Sequence, residues 1–409
     1  MQCFSLWQGL ALVSAMVGGA AYAEDLSPNS RFNEAAFLEA LNEHHPAFVA
    51  LTDRLGAARA ERKQAGTLDN PAFGVEHEAP EGATQQTTWS LAWTPPLDGR
   101  RGLRIQAGEA AESAASLDLK ADKLGLRLAL RAVYARWALA HERREVVGSH
   151  LEFVRRLVSQ MRARATAGEE SGLAARRFDL ARVEVETELA RAEADELEAR
   201  SEAAVWRPEL PPNALPTLPP LPDVAPGIDL TGRPDLEARK QDVEAAKARA
   251  HLARRVFSFP ELGVGWQQQD DEGRHSDGPT YSLSWDVPLF DRQQADRVVA
   301  DSRLAAAQAR FEYSTTRARA ELEGAQAAYA RLRATALETI DTIAGTDTVI
   351  ESTAASYRLG EASVTDLLET FDSVLASRLA ALELYEAALA AHRKLEAAAG
   401  RPLLTDTGE

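Results

Sequence analysis

Cysteine, aromatic rings, basic charge and long apolar runs are all scarce in this chain, and each scarcity removes a class of function. Cys3 is the one cysteine among 409 residues, which excludes a disulfide framework and a thiolate metal site. Acidic side chains outnumber basic ones 62 to 46, a formal net charge of −16. A protein that gains affinity by neutralising nucleic-acid phosphates or anionic lipid is thereby excluded. Beyond the first two dozen residues no run of about 18 apolar residues occurs, which excludes a helical membrane protein. The eight histidines are scattered. His44 and His45 precede Pro46, and His77 lies between Glu76 and Glu78 on a strand whose adjacent side chains point to opposite faces and cannot converge on a metal. No catalytic constellation and no cofactor site emerges, so the chain reads as a non-enzyme. Aromatics make up only 6%, yet four of the seven Trp fall in two short stretches against an Ala- and Leu-rich helical background.

Residues 1–23 form an apolar run closing on Ala21-Tyr22-Ala23, a small-x-small pattern that predicts a cleavable export signal. Cys3 would leave with it, so the mature chain would have no cysteine to oxidise or lipidate.

What the chain has in plenty is internal repetition. Ser90-Leu91-Ala92-Trp93 with Pro96-Leu97 returns 192 positions later as Ser282-Leu283-Ser284-Trp285 with Pro288-Leu289, and Gly168-x-x-Ser171 returns at the same spacing as Gly360-x-x-Ser363. The pattern predicts a mainly α fold with a small β part, written twice. The first repeat, 24–207, holds a helix, a β-hairpin over 71–97, a long helix over 100–166 and a return helix over 172–206. A proline-rich linker over 208–228 prefers extended backbone and works as a semi-rigid strap. The second repeat, 229–409, follows with a helix, a hairpin over 260–289, a long helix over 292–358 and a return helix over 362–399. A helix of about 67 residues spans roughly 100 Å, longer than a globular domain needs. Heptads at Val133, Ala140, Val147, Val154 and Met161, at Leu322, Tyr329, Ala336, Ile343, Ile350 and Tyr357, and at Leu368, Leu375, Leu382 and Leu389 predict antiparallel coiled-coil pairs. Such rods also suit a periplasmic coiled-coil scaffold without a pore.

The strands weigh against that scaffold. Trp89, Leu91 and Trp93, Val264 and Trp266, and Tyr281, Leu283 and Trp285 alternate with Gly, Ser, Ala, Thr and an occasional acid. A soluble sheet shows long charged side chains on its second face, whereas small polar residues suit the lumen of a membrane β-barrel whose outer face is apolar and aromatic. Four strands leave two open edges, which hydrocarbon does not tolerate, so several chains must share one barrel. Three chains would give twelve strands.

These residues resemble the TolC-like outer-membrane efflux proteins, trimeric channel-tunnels of Gram-negative bacteria. The resemblance is carried by Tyr357-x-x-Gly360-x-x-Ser363-x-x-Asp366-Leu367-Leu368, by its echo Gly168-x-x-Ser171, and by Trp285-x-x-Pro288-Leu289-Phe290-Asp291. It implies a homotrimer with a twelve-stranded barrel in the outer membrane, continuous with an α-helical barrel in the periplasm. The implied partners are a periplasmic adaptor protein and a proton-driven inner-membrane pump. It implies passive exit of small solutes, metal cations or drugs, with protein secretion the other duct of this class. By the resemblance Asp366 and Glu369 line the periplasmic aperture, while Gly168, Ser171, Gly360 and Ser363 lie where adaptor tips meet the duct. In the first repeat the corresponding positions are Ala174 and Arg177, so the acidic pair occurs in one repeat only.

Overall fold

The computed structural model describes residues 31–39, 46–79, 84–168, 171–224, 227–271 and 274–403. The expected export signal with Cys3, the pair His44 and His45, and part of each hairpin tip lie outside the described residues.

The chain is built from rods and one small sheet. In the first repeat a short strand β1 (Arg31–Phe32) and helix α1 (Glu34–Glu39) precede α2 (Pro46–Ala65), β2 (Ala72–Glu78), β3 (Gln85–Trp93), α3 (Arg100–Thr166) and α4 (Gly172–Trp206). Strand β4 (Leu215–Pro216) lies in the proline-rich segment. The second repeat adds α5 (Pro234–Ala253), β5 (Glu261–Asp271), β6 (Arg274–Ser284), α6 (Gln294–Ile343), α7 (Thr346–Leu359) and α8 (Val364–Ala399). Proline opens both α2 and α5, where a missing N–H costs nothing. Among the described residues no helix is long and apolar enough to cross a membrane.

Helix α3 runs unbroken for 67 residues, about 100 Å at 1.5 Å per residue. Its counterpart differs from the single helix expected over 292–358: it breaks at Ala344 and Gly345 into α6 and α7. Gly345 occupies the position that Phe153 holds in α3, and glycine weakens a helix interior by about 1 kcal/mol relative to alanine. Arg378 of α8, nearly buried, reaches the new helix start and donates to Asp347 Oδ1 at 2.6 Å and Thr346 Oγ1 at 3.2 Å.

The coiled-coil seams follow most of the expected heptads in the long helices, with Val147, Val154, Met161, Leu322, Tyr329, Ala336, Ile343, Ile350 and Tyr357 all buried; Val133 and Ala140 are only half-buried, because Leu130, Tyr134, Trp137 and Ala138 fill the core at that level. On α8 Leu389 is buried as expected, but the rest of the seam sits one residue earlier. Leu367, Val374, Ala381, Ala388 and Leu395 are buried at period seven, and Leu368 and Leu375 flank the lower core. Leucine occurs at adjacent positions 367 and 368, so size alone did not choose between two registers; packing beside Phe371 did.

The proline-rich segment wraps the middle of the rods. Strand β4 pairs in parallel with β1, and Tyr134 Oη donates to the Phe32 carbonyl at 2.6 Å while accepting the Thr217 N–H at 3.0 Å. Tyr329 and Tyr385 donate to the carbonyls of Pro222 and Pro219 at 2.6 and 2.7 Å. A strap with few N–H groups still offers carbonyls, and buried phenols are donors that fit them. Burial pushes both of these hydroxyls up to about 12, so they stay protonated donors. Beside the strap, Arg131 bonds Glu34 Oε1 at 2.9 Å and Glu396 Oε2, and Glu396 Oε1 accepts the Leu403 N–H at 3.0 Å. Glu396 has no exposed surface, so this cluster ties both ends of the described chain to α3 inside the protein.

Candidate functional site

Two regions hold the residues singled out by sequence: the sheet at one end of the rods and the helical turns at the other. The sheet has order β2-β3-β5-β6, all antiparallel, so the two hairpins lie side by side and join through β3 and β5. Register aligns the apolar residues of all four strands into rows. One row runs Val75, Trp89, Trp266; the next runs Phe73, Leu91, Val264, Tyr281; a third runs Trp93, Leu262, Leu283. The intervening rows hold Gly74, Ser90, Gly265, Thr280 and Ala72, Ala92, Gly263, Ser282.

The two faces differ in the room they leave as well as in chemistry. A Cβ placed on Gly265 would lie 2.5 Å from the Trp89 carbonyl oxygen and 2.6 Å from Thr280 Oγ1. One on Gly263 would lie 2.1 Å from Ser282 Oγ. Such crowding leaves no room for a larger side chain on the small-residue face. The apolar face is open: Tyr281 is 80% and Leu283 69% exposed. This is amphipathicity turned outward, the reverse of a water-soluble sheet.

Trp93 and Trp285 have an additional place. Strand β6 ends at Ser284, so Trp285 falls just beyond it, outside the strand expected there. Each indole N–H donates to the backbone carbonyl of the segment leading into its own hairpin, Trp93 to Asp69 at 3.0 Å and Trp285 to Ser258 at 3.1 Å. The two rings, still partly exposed, therefore pin the sheet to the segments that join it to the rods. Nothing in the sequence pattern distinguishes this pinning from simple lipid contact.

At the far end, Gly168 and Gly360 adopt φ of +76° and +77°, the left-handed region that lets a helix stop and the chain reverse. Ser171 Oγ accepts from the Ala174 N–H at 3.2 Å. Ser363 Oγ accepts from the Asp366 N–H at 3.1 Å, and the Asp366 carboxylate accepts the Ser363 N–H at 2.8 Å, a reciprocal capping box. The bond from the Ser363 N–H, reinforced by its hydroxyl, holds the Asp366 carboxyl below the usual range. Asp366 thus serves its own helix before it serves anything else, and Glu369 stands exposed one turn further on. Arg177 Nη1 donates to Thr365 Oγ1 at 3.3 Å and brings the tips of the two repeats together. Among the described residues no group of three or more His, Cys, Asp or Glu is placed to hold a metal ion. Asp270 instead faces His275 at 3.2 Å across the β5–β6 tip.

A sheet with an exposed apolar face, mounted on helical rods of which α3 spans about 100 Å, is the arrangement expected of an outer-membrane channel-tunnel protomer. Residues 227–401 match the family described as outer membrane efflux protein. The nickel-cobalt-cadmium resistance protein NccC of Alcaligenes xylosoxydans xylosoxydans is 26% identical over 328 residues, covering 74% of this chain and 70% of that protein. The nickel and cobalt resistance protein CnrC of Cupriavidus metallidurans is 27% identical over 284 residues, covering 65% and 66%. Among solved structures, the outer membrane protein VceC of Vibrio cholerae superposes with a TM-score of 0.75 at 18% identity over 90% of this chain and 96% of that one. CusC gives a TM-score of 0.75 at 16% identity over 90% and 92%. These structures share the fold.

Proposed function

We propose that the protein is the outer-membrane exit duct of a tripartite efflux system, a homotrimer whose three sheets close one twelve-stranded barrel. The observation that carries this reading is the amphipathicity of the sheet: exposed apolar rings and branched side chains on one face, glycine and hydroxyls on the other. Such a sheet is stable only in hydrocarbon, and its two free edges require neighbours. A pore-free periplasmic scaffold accounts for the rods but not for these strands.

In this reading 1–23 is the export signal, 24–207 and 229–409 are the two repeats, and 208–228 straps them at mid-height. Trp89, Leu91, Trp93, Val264, Trp266, Tyr281, Leu283 and Trp285 face lipid. The turns at Gly168, Ser171, Gly360 and Ser363 meet a periplasmic adaptor, and Asp366 and Glu369 line the aperture. An inner-membrane pump supplies energy and selects cargo, so the duct contributes only a water-filled path. Metal cations are the cargo favoured here, because two curated relatives are nickel and cobalt resistance proteins and an acidic aperture attracts cations.

Planar bilayers test the reading. The purified trimer is expected to conduct, and neutralising Asp366→Asn with Glu369→Gln to weaken its preference for cations. A correctly folded protein that never conducts refutes the duct. Loss of the gene should raise sensitivity to nickel and cobalt; sensitivity to apolar drugs alone would refute the cargo.

A further inference from the structure

Arg177 is a tip residue that the acidic aperture does not account for. It occupies, in the first repeat, the position that Glu369 occupies in the second, and it is exposed. Other arginines on this hairpin face carboxylates: Arg162 meets Asp179 at 2.5 Å, and Arg155 and Arg182 meet Glu186 at 3.0 and 2.7 Å. The hydrogen-bond partner of Arg177 is a neutral hydroxyl, that of Thr365, at 3.3 Å. Its charge is therefore held in place without being cancelled at contact by a described carboxylate.

The place matters because Thr365 precedes Asp366 and lies one helical turn from Glu369 on the same face of α8. The guanidinium thus stands within a turn of both acids, and it comes from the other repeat. Three protomers then present three arginines among six carboxylates in one ring. A cation entering such a ring meets alternating charge, and the force on a divalent ion scales with both terms.

We infer that Arg177 is a specificity-determining residue of the aperture: a fixed counter-charge, anchored by Thr365, that stops divalent cations from lodging on Asp366 and Glu369 and so keeps the duct passable. The inference rests on the duct reading and names the regulation of that same site. It also gives the acid-to-base change between repeats a function. An all-acidic ring would bind divalent ions tightly, and tight binding is as poor for conduction as repulsion is.

The experiment is block of single-trimer currents by nickel chloride added to the periplasmic side, at about 0.1 M potassium chloride. A unit charge about 7 Å from a divalent ion in water, partly screened at this salt, changes its affinity about threefold to tenfold. Arg177→Gln is expected to lower the half-blocking nickel concentration by that factor and to raise the potassium-over-chloride permeability ratio. Arg177→Lys keeps the charge and is expected to restore both readings. Thr365→Val keeps the arginine but releases it, and is expected to shift block in the same direction by a smaller factor. Both positions are exposed, and trimer mass and helical content check that each variant assembles. Arg177→Gln trimers that conduct with unchanged nickel block and unchanged permeability ratio overturn the role of Arg177 and leave the duct standing. A wild-type trimer that does not conduct overturns the duct and this inference with it.

Discussion

Neutralising Glu396 should destabilise the whole helical barrel, because its carboxylate is the centre of the buried cluster at mid-height. Glu396→Gln preserves volume, so the change isolates charge from cavity. In the native protein Glu396 has no exposed surface and meets Arg131, whose side chain is 5% exposed, while its other oxygen accepts the Leu403 N–H at 3.0 Å. After the substitution Arg131 keeps only Glu34, at 2.9 Å, as an ionised partner, and an amide N–H competes for the guanidinium. Removing one member of a buried ion pair costs about 3–5 kcal/mol, since the remaining charge stays desolvated. The surviving bond to Glu34 places the expected cost at the lower end, about 3 kcal/mol. Urea unfolding of the detergent-solubilised trimer, followed by helical circular dichroism at one fixed protomer concentration, measures it. The double variant Arg131→Met with Glu396→Leu removes both charges and is expected to recover most of the loss. A single-variant cost below about 1 kcal/mol, or a double variant no better than the single, refutes the reasoning.

Acidification should weaken the protein through His150 and His392. Burial, and then the nearby Arg378, holds His150 at about 4; burial, then Arg131 and Arg393, holds His392 at about 4. Both imidazoles are neutral in the folded state and protonate near 6.5 when unfolded, so the unfolded state binds more protons as pH falls. Their contribution is complete above about pH 6.5 and is lost toward pH 4, roughly 2 kcal/mol each at pH 5. Burial raises the Glu396 carboxyl and works in the opposite sense, so the comparison to make is wild type against His150→Gln, whose stability should fall less steeply over this window. Gly265→Val should abolish closed trimers in membrane extracts while leaving helical content intact, because its side chain would collide with Trp89 and Thr280. Ser363→Ala removes half of a capping box and should cost about 1 kcal/mol; a normal urea midpoint would show the cap to be idle.

Much of this fold is legible in the sequence because two signals repeat at a fixed spacing. The strands announce themselves through Trp89, Trp93, Trp266 and Trp285, and the hairpin turns through glycine followed three residues later by serine. The register of α8 was not legible, since Leu367 and Leu368 satisfy neighbouring heptad phases equally and only packing decides. Nor was the helix break, because one glycine at 345 is tolerated in most helices and its effect here depends on Arg378, distant in sequence. At the tips, the types and spacing of Asp366, Glu369 and Arg177 could be read directly. That Arg177 rests on Thr365 could not, because it depends on how two turns from different repeats approach each other.

The two free edges of the sheet are unlike: β2 has seven residues and β6 has eleven. An edge of one kind can only be completed by the other kind on the next copy, so assembly is head to tail and closes as a ring. Such a ring has no spare joints. A protomer with an unusable β6 edge still offers a sound β2, enters assembly and leaves the circle open. Expressed in equal amounts beside the normal chain, it would leave roughly one eighth of trimers free of the defect. Damage to one strand of one copy is therefore inherited by the whole duct, and loss of function should behave as dominant.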